Sequence, residues 1–200
     1  MKAGPVMLMT RPCVKPQVLS GAECQRLIDL FEQSPDVATA KLAGGVKSSI
    51  RECQYLWLDD DDDSAGETAW IFGKLAGLVS RVNQDWFQFD LEDFREGLQL
   101  IRYDAPADPS APAGHYGAHM DIGSSGSTVS RKLSISIQLS NESDYEGGAL
   151  LLDNQGSEWM APRDQGTAVV FSSFLQHQVC PLISGTRYAL VAWIHGPAFR

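Results

Sequence analysis

A mainly β fold with flanking α-helices, built as an antiparallel sandwich or barrel, is predicted by three features of this 200-residue sequence. Short apolar runs recur from residue 98 onward, at 98–103, 133–139, 149–152, 167–171 and 188–194, with shorter candidates at 115–122 and 177–181. Gly, Pro, Ser, Asn and Asp separate these runs, as turns between short strands require. Helical patterns precede the runs instead of alternating with them, which argues against parallel strand-helix-strand units.

The chain is long enough for one domain with a sizeable core, since a protein of this size buries about two thirds of the surface its unfolded form exposes. Its 44% hydrophobic and 20% charged residues are those of an ordinary globular protein. Neither low-complexity tracts nor a fixed-period repeat is present.

In chain order, Ser20 is placed to cap a helix, with Glu23 three residues on completing a capping box and Leu27, Leu30 and Phe31 on the apolar face. Pro35 ends that helix near Ser34. Gly44 and Gly45 predict a loop, and residues 52–58 a strand. A second helix is predicted after a cap at Ser64, with Trp70, Ile71, Leu75, Leu78, Val79 and Val82 at helical spacing. It would cover one side of a sheet. Residues 104–114 hold Pro106, Pro109 and Pro112, so they form a loop leading to the histidines that follow.

The net charge of -9 disfavours nucleic-acid binding, and no basic patch interrupts it beyond the pair Arg131-Lys132. The acidic run at residues 59–63 reads as an exposed loop, with a hard-cation site as the alternative. No stretch approaches the roughly 20 apolar residues that cross a bilayer, and residues 1–9 lack a secretory pattern. A cytoplasmic location without membrane partners is therefore expected. Cys13, Cys24, Cys53 and Cys180 are scattered without a CxxC pair, as reduced thiols are.

Chemistry concentrates at His119-Met120-Asp121. On a strand, alternation turns His119 and Asp121 to one face and Met120 to the other. With His177, fifty-six residues later, they make up two imidazoles and one carboxylate. That facial set leaves open positions on an octahedral iron(II), although zinc accepts the same donors. His115 competes, since its even offset from His119 lets it share that face as a substrate contact. Arg187 follows the Gly185 turn and opens an apolar strand, where a guanidinium can clamp a carboxylate through paired hydrogen bonds.

Several ordered motifs carry a family resemblance: Leu100-Ile101-Arg102-Tyr103, Tyr116-Gly117-Ala118-His119-Met120-Asp121, Arg131-Lys132-Leu133-Ser134-Ile135, Glu146-Gly147-Gly148-Ala149-Leu150 and Gly166-Thr167-Ala168-Val169-Val170-Phe171. His177, Pro181, Gly185-Thr186-Arg187-Tyr188 and Trp193 complete the set. Over residues 98–197 the chain resembles the iron(II)/2-oxoglutarate dioxygenases, in their prolyl-4-hydroxylase-like branch. The resemblance implies a double-stranded β-helix, a jelly-roll or cupin-like barrel, as the catalytic part of one oxygenase domain spanning 1–200, with helical support from about 1–97. It implies iron(II) on His119, Asp121 and His177, and the far carboxylate of 2-oxoglutarate on Arg187 with Tyr103 beside it. Oxygen would be the second cosubstrate and ascorbate a reductant.

The chain departs from the family at two places. Animal prolyl 4-hydroxylases carry lysine where this chain has Arg187, and the serine that some members place two residues later is Ala189 here. Asp121 is the carboxylate that related halogenases lack, which points to hydroxylation. Succinate and carbon dioxide would accompany the hydroxylated product. A small molecule or free amino acid is the expected substrate, met by His115, Tyr116, Arg131, Arg102 and Trp193. A prolyl or other peptide-residue hydroxylase and a non-catalytic cupin-like binding module are the alternatives.

Overall fold

The computed structural model describes residues 9–40, 50–59, 67–108, 110–154 and 156–198. In chain order these form β1 (Cys13–Lys15), α1 (Gly21–Gln33), β2 (Ala38–Thr39), β3 (Arg51–Glu52), β4 (Gln54–Leu58) and α2 (Ala69–Val82), which runs on into a π-helical turn, Asn83–Phe87. Then follow β5 (Leu98–Asp104), β6 (His115–His119), β7 (Arg131–Gln138), β8 (Tyr145–Gly147), β9 (Leu150–Asn154), β10 (Ser157–Met160), β11 (Ala168–Ser172), β12 (His177–Val179) and β13 (Leu182–His195). The predicted loop at Gly44-Gly45, the predicted cap Ser64, Pro109 and acidic residues 60–63 lie outside the described residues.

The first helix forms where its signals stand. Ser20 accepts from the Glu23 N–H, and Glu23 accepts from the Ser20 N–H at 2.8 Å, so two otherwise orphaned donors are satisfied. Cys24, Leu27 and Phe31 are the buried stripe. The second helix buries Ile71, Phe72, Leu75, Leu78, Val79 and Val82. It starts at Ala69 after Thr68, which makes no side-chain capping bond. The run predicted as one strand at 52–58 is two, because the chain changes sheets at Cys53.

Strand alternation assigns the layers. Leu98 and Leu100 of β5, Leu133, Ile135 and Ile137 of β7, and Leu190, Ala192 and Ile194 of β13 pack with the stripes of α1 and α2 in one cluster. Their neighbours Ile101, Tyr103, Val169 and Phe171 face the opposite way, into a second cluster shared with Leu150, Leu152 and Val179. Each of these strands is thus buried on both faces. Polar Gln99, Ser134 and Gln138 are buried within them. They are a set of groups that must find partners inside.

The barrel expected from the resemblance is corrected by the strand order. The chain is a mixed α/β fold with two open sheets. One runs β1-β11-β7-β13-β5-β4-β2, with β8 also on β13, and the other runs β10-β9-β12-β6-β3. Closure requires end strands that hydrogen-bond to each other with a consistent tilt and stagger. Here the ends are β1 with three residues, β2 and β3 with two each, and β10 with four. Such short strands blunt an edge without extending the ladder around to the other side.

Among the described residues no helix is long and apolar enough to cross a membrane. All four cysteines are free thiols.

Candidate metal centre

In the antiparallel pair β6–β12, His119 stands opposite His177. Asp121 lies two residues past the end of β6. Its N–H and that of Ile122 both donate to the Ser173 carbonyl at 3.0 Å, which folds the segment back over the two rings. His119 Nε2 is 3.6 Å from Asp121 Oδ1, and His177 Nε2 is 3.4 Å from Asp121 Oδ2. One ligand atom from each residue falls within 4.8 Å of the others.

The imidazoles are oriented from behind. His119 Nδ1 donates to the Gly117 carbonyl at 2.8 Å, and His177 Nδ1 donates to the Leu175 carbonyl at 3.0 Å. A carbonyl can only accept, so each Nδ1 carries a proton and each ring presents its Nε2 to Asp121. Burial would raise the Asp121 carboxyl, but the His177 and His119 imidazoles and a hydrogen bond from Ser134 hold it below the ordinary carboxylate range. Burial holds His177 below its usual value. Asp121 Oδ2 is buried without a hydrogen-bond partner. A carboxylate with an idle buried oxygen, flanked by the Nε2 atoms of two imidazoles, fits a divalent cation.

A second buried group faces the same space. Arg187 and Tyr103 are partners across β13–β5, and the guanidinium carbon stands 5.6 Å from the Tyr103 ring centroid. Arg187 Nε donates to Gln138 Oε1 at 3.0 Å, while the Gln138 amide donates to the Tyr145 hydroxyl at 2.9 Å. Arg187 Nη1 is buried with no partner, a donor whose chemistry suits an anion. Gly148 makes room for it. A Cβ there would lie 2.6 Å from Leu182 Cδ1 and 3.3 Å from Arg187 Cδ, at a positive φ of 61°.

One cavity connects the two groups. Tyr103, His119, Asp121, His177 and Arg187 all line it, together with Tyr116, Phe171 and Trp193. Of the predicted substrate contacts, Tyr116 stacks on His119 with centroids 3.6 Å apart at 14°, and Trp193 presents a buried indole Nε1 that lacks an acceptor. His115 is not in the lining. The pairing of β6 with β12 slips by one residue between His119 and Tyr116, so the odd-offset tyrosine, not His115, shares the His119 face. His115 Nδ1 instead meets the Ala113 carbonyl at 2.8 Å. Arg102, on the opposite face of β5 from Tyr103, pairs with Asp104 at 2.9 Å and Glu32 at 3.1 Å. Arg131 sits at the rim: it donates from Nη1 to the Asp121 carbonyl at 3.2 Å and lies 3.9 Å over the Trp193 ring.

Sequence reasoning missed Arg51, Gln99, Ser136 and Gln138, of which Arg51, Gln99 and Ser136 line the cavity. Arg51 donates to Gln99 Oε1 at 3.0 Å and covers the Tyr116 ring at 4.7 Å. The available signal was a polar residue at every second place in the otherwise apolar runs Leu98-Gln99-Leu100 and Leu133-Ser134-Ile135-Ser136-Ile137-Gln138.

Residues 98–195 match the family model described as the 2OG-Fe(II) oxygenase superfamily. A PKHD-type hydroxylase of a Synechococcus strain is 33% identical over 180 residues, 89% of this chain and 75% of that protein. Another, from Crocosphaera subtropica, is 25% identical over the same coverage. With a PKHD-type hydroxylase of Prochlorococcus marinus the match is 37% identical over 82 residues, which is 36% of that protein. Among solved structures, a Pseudomonas putida prolyl-4-hydroxylase superposes with a TM-score of 0.72 at 20% identity, covering 94% of this chain and 93% of its own. A Trichoplax adhaerens prolyl hydroxylase, solved with a peptide fragment of hypoxia inducible factor, gives 0.73 at 20% identity, covering 92% and 83%. These two likenesses are of fold.

Proposed function

This chain belongs to the 2OG-Fe(II) oxygenase superfamily, and from that premise we propose that it hydroxylates a C–H bond of a small molecule or free amino acid. Its family and its His-Asp-His cluster make it an enzyme that uses iron(II) and 2-oxoglutarate, and they leave no support for a non-catalytic binding module. In the proposed reading His119, Asp121 and His177 hold the iron. Arg187, oriented by Gln138, anchors the far carboxylate of 2-oxoglutarate through its idle Nη1, with Tyr103 packed beside it.

When bound, iron would activate oxygen, the oxidant, and 2-oxoglutarate would supply two of its four electrons, one oxygen atom entering succinate as carbon dioxide leaves and the other entering the product. The chain's own contribution is geometric and electrostatic. The Gly117 and Leu175 carbonyls hold both imidazoles with Nδ1–H turned away from the site, so that Nε2 is the atom each ring presents to a metal. Phe171, Leu150 and Val179 wall the cavity and exclude water, which strengthens the charge pairing at Arg187 and Asp121.

The observation that carries the small-substrate reading is a second arginine in the cavity wall. Arg51 is held by Gln99 and stacked over Tyr116, which in turn stacks on His119. A cation so near the metal ligands suits an anionic or zwitterionic metabolite. The peptide-residue reading is favoured by a different feature, an aromatic wall in which Trp57, 39% exposed, stands 5.9 Å from Trp193. A mass-spectrometric screen of metabolites and short peptides with iron, ascorbate and 2-oxoglutarate separates the two. A gain of one oxygen on a carboxylate-bearing metabolite, matched by succinate, is the expected result. Oxygen gained by peptides alone would overturn it.

A further inference from the structure

Glu96 lies outside the cavity and belongs to no strand, yet it joins four segments that meet behind Asp121. Its Oε2 accepts from Arg131 Nε at 2.6 Å, and its other oxygen accepts from the Ser127 hydroxyl. The His195 Nε2 lies 3.3 Å from the same Oε2 but is not aligned for a hydrogen bond, while His195 Nδ1 meets the Ser130 hydroxyl at 2.8 Å. The Glu96 and Arg131 side chains are only 14% and 12% exposed. Two charges so enclosed depend on each other, because solvent cannot replace a lost partner.

Arg131 then reaches the site at two points. It donates to the Asp121 main-chain carbonyl and stands 3.9 Å over the Trp193 indole that lines the cavity. With the Asp121 N–H already given to Ser173, both backbone groups of this residue are pinned, one by a loop and one by Arg131. Released from Glu96, the guanidinium would still sit on the main-chain carbonyl of Asp121, beside a carboxylate whose Oδ2 is idle. A buried arginine bound to that oxygen would compete directly with a cation.

We propose that Glu96 is a positioning residue for the metal site: by neutralising and fixing Arg131, it holds the Asp121 carbonyl in place and keeps the guanidinium off the Asp121 carboxylate. The proposal rests on the metal reading given above. It also reassigns Arg131 from substrate contact to support.

The test is Mn(II) and Fe(II) binding to the metal-free protein under anaerobic conditions, followed by calorimetry, with turnover as a second readout. Glu96→Gln keeps the shape and removes the charge. It should weaken metal binding by about tenfold or more, the usual effect of losing a group that orients a metal ligand. Turnover at saturating metal should fall far less. Arg131→Met removes the competing cation, so adding Glu96→Gln to it should change metal affinity by less than about twofold. A merely structural Glu96 would lower the melting temperature in both backgrounds without this non-additivity. If Glu96→Gln alone does not fold, the Arg131→Met pair decides: a further loss of metal affinity in the double variant overturns the proposal. So does a folded Glu96→Gln protein with parental affinity. Failure of the parent protein to bind either metal would sink the metal reading and the proposal together, which distinguishes the two failures.

Discussion

Arg187 and Tyr103 face each other across the β13–β5 pair, and the Arg187 guanidinium is fixed over the tyrosine ring by a single hydrogen bond to Gln138. That arrangement uses one donor for orientation and leaves Nη1 buried and without a partner, on a residue that lines the cavity shared with the metal ligands.

Removing the anchor should act on the cosubstrate and not on the metal. Arg187→Ala is expected to weaken 2-oxoglutarate binding by about 30-fold or more, the loss typical when one partner of a buried charge pair is truncated. Gln138→Leu leaves the guanidinium in place but unoriented and should cost about tenfold. Titration of 2-oxoglutarate into anaerobic, metal-loaded protein reads both. An unchanged affinity in Arg187→Ala removes its anchoring role.

Asp121→Ala and His177→Ala should each abolish metal binding and the coupled consumption of oxygen and 2-oxoglutarate. Neither should unfold the chain, because the carboxylate and imidazole lie between the two sheets with unmet electrostatic demands and contribute little to packing. Metal content by elemental analysis, with circular dichroism as the folding control, checks this. Full activity of both variants in added iron would remove the metal assignment.

Acid stability should report the first helix cap. The hydrogen bond from Lys74, with that from the Ser20 N–H, holds the Glu23 carboxyl at about 2, against an ordinary 4.5. A carboxyl with a lower pKa folded than unfolded stabilises the fold above the unfolded value, and the contribution disappears as pH falls through the folded one. Glu23→Gln should therefore match the parent near pH 2, with the gap opening toward pH 4.5 and level above it. Both partners are about one third exposed, so the plateau should be small, about 1 kcal/mol. Urea unfolding from pH 2 to 7 measures it, and a gap independent of pH would refute the assignment.

Much of the local structure was legible because its signals are local. Ser20 and Glu23 cap α1 as their spacing predicts, and the apolar runs at 98–103 and 133–139 become β5 and β7 within a residue or two. Where a strand's side chains point was less legible. The face shared by His115 and His119 was inferred from strict alternation, and one slipped residue in β6 gave that place to Tyr116. Arg51 was invisible for a related reason. It lies in a two-residue strand whose role depends on which sheet it joins, and β3 pairs with β6 while its neighbour β4 pairs with β5.

By itself, then, the sequence determined which donors exist: two imidazoles, one carboxylate and a late arginine, each of a type whose chemistry is set by its own atoms. Tertiary structure alone decided how they are used. It brought His177 against His119 across fifty-eight residues of chain, idled one oxygen of Asp121 and one nitrogen of Arg187, and left both sheets open where a barrel was expected. Those outcomes depend on register, strand length and burial. All three are settled by competition among distant segments for the same partners, which no local pattern records.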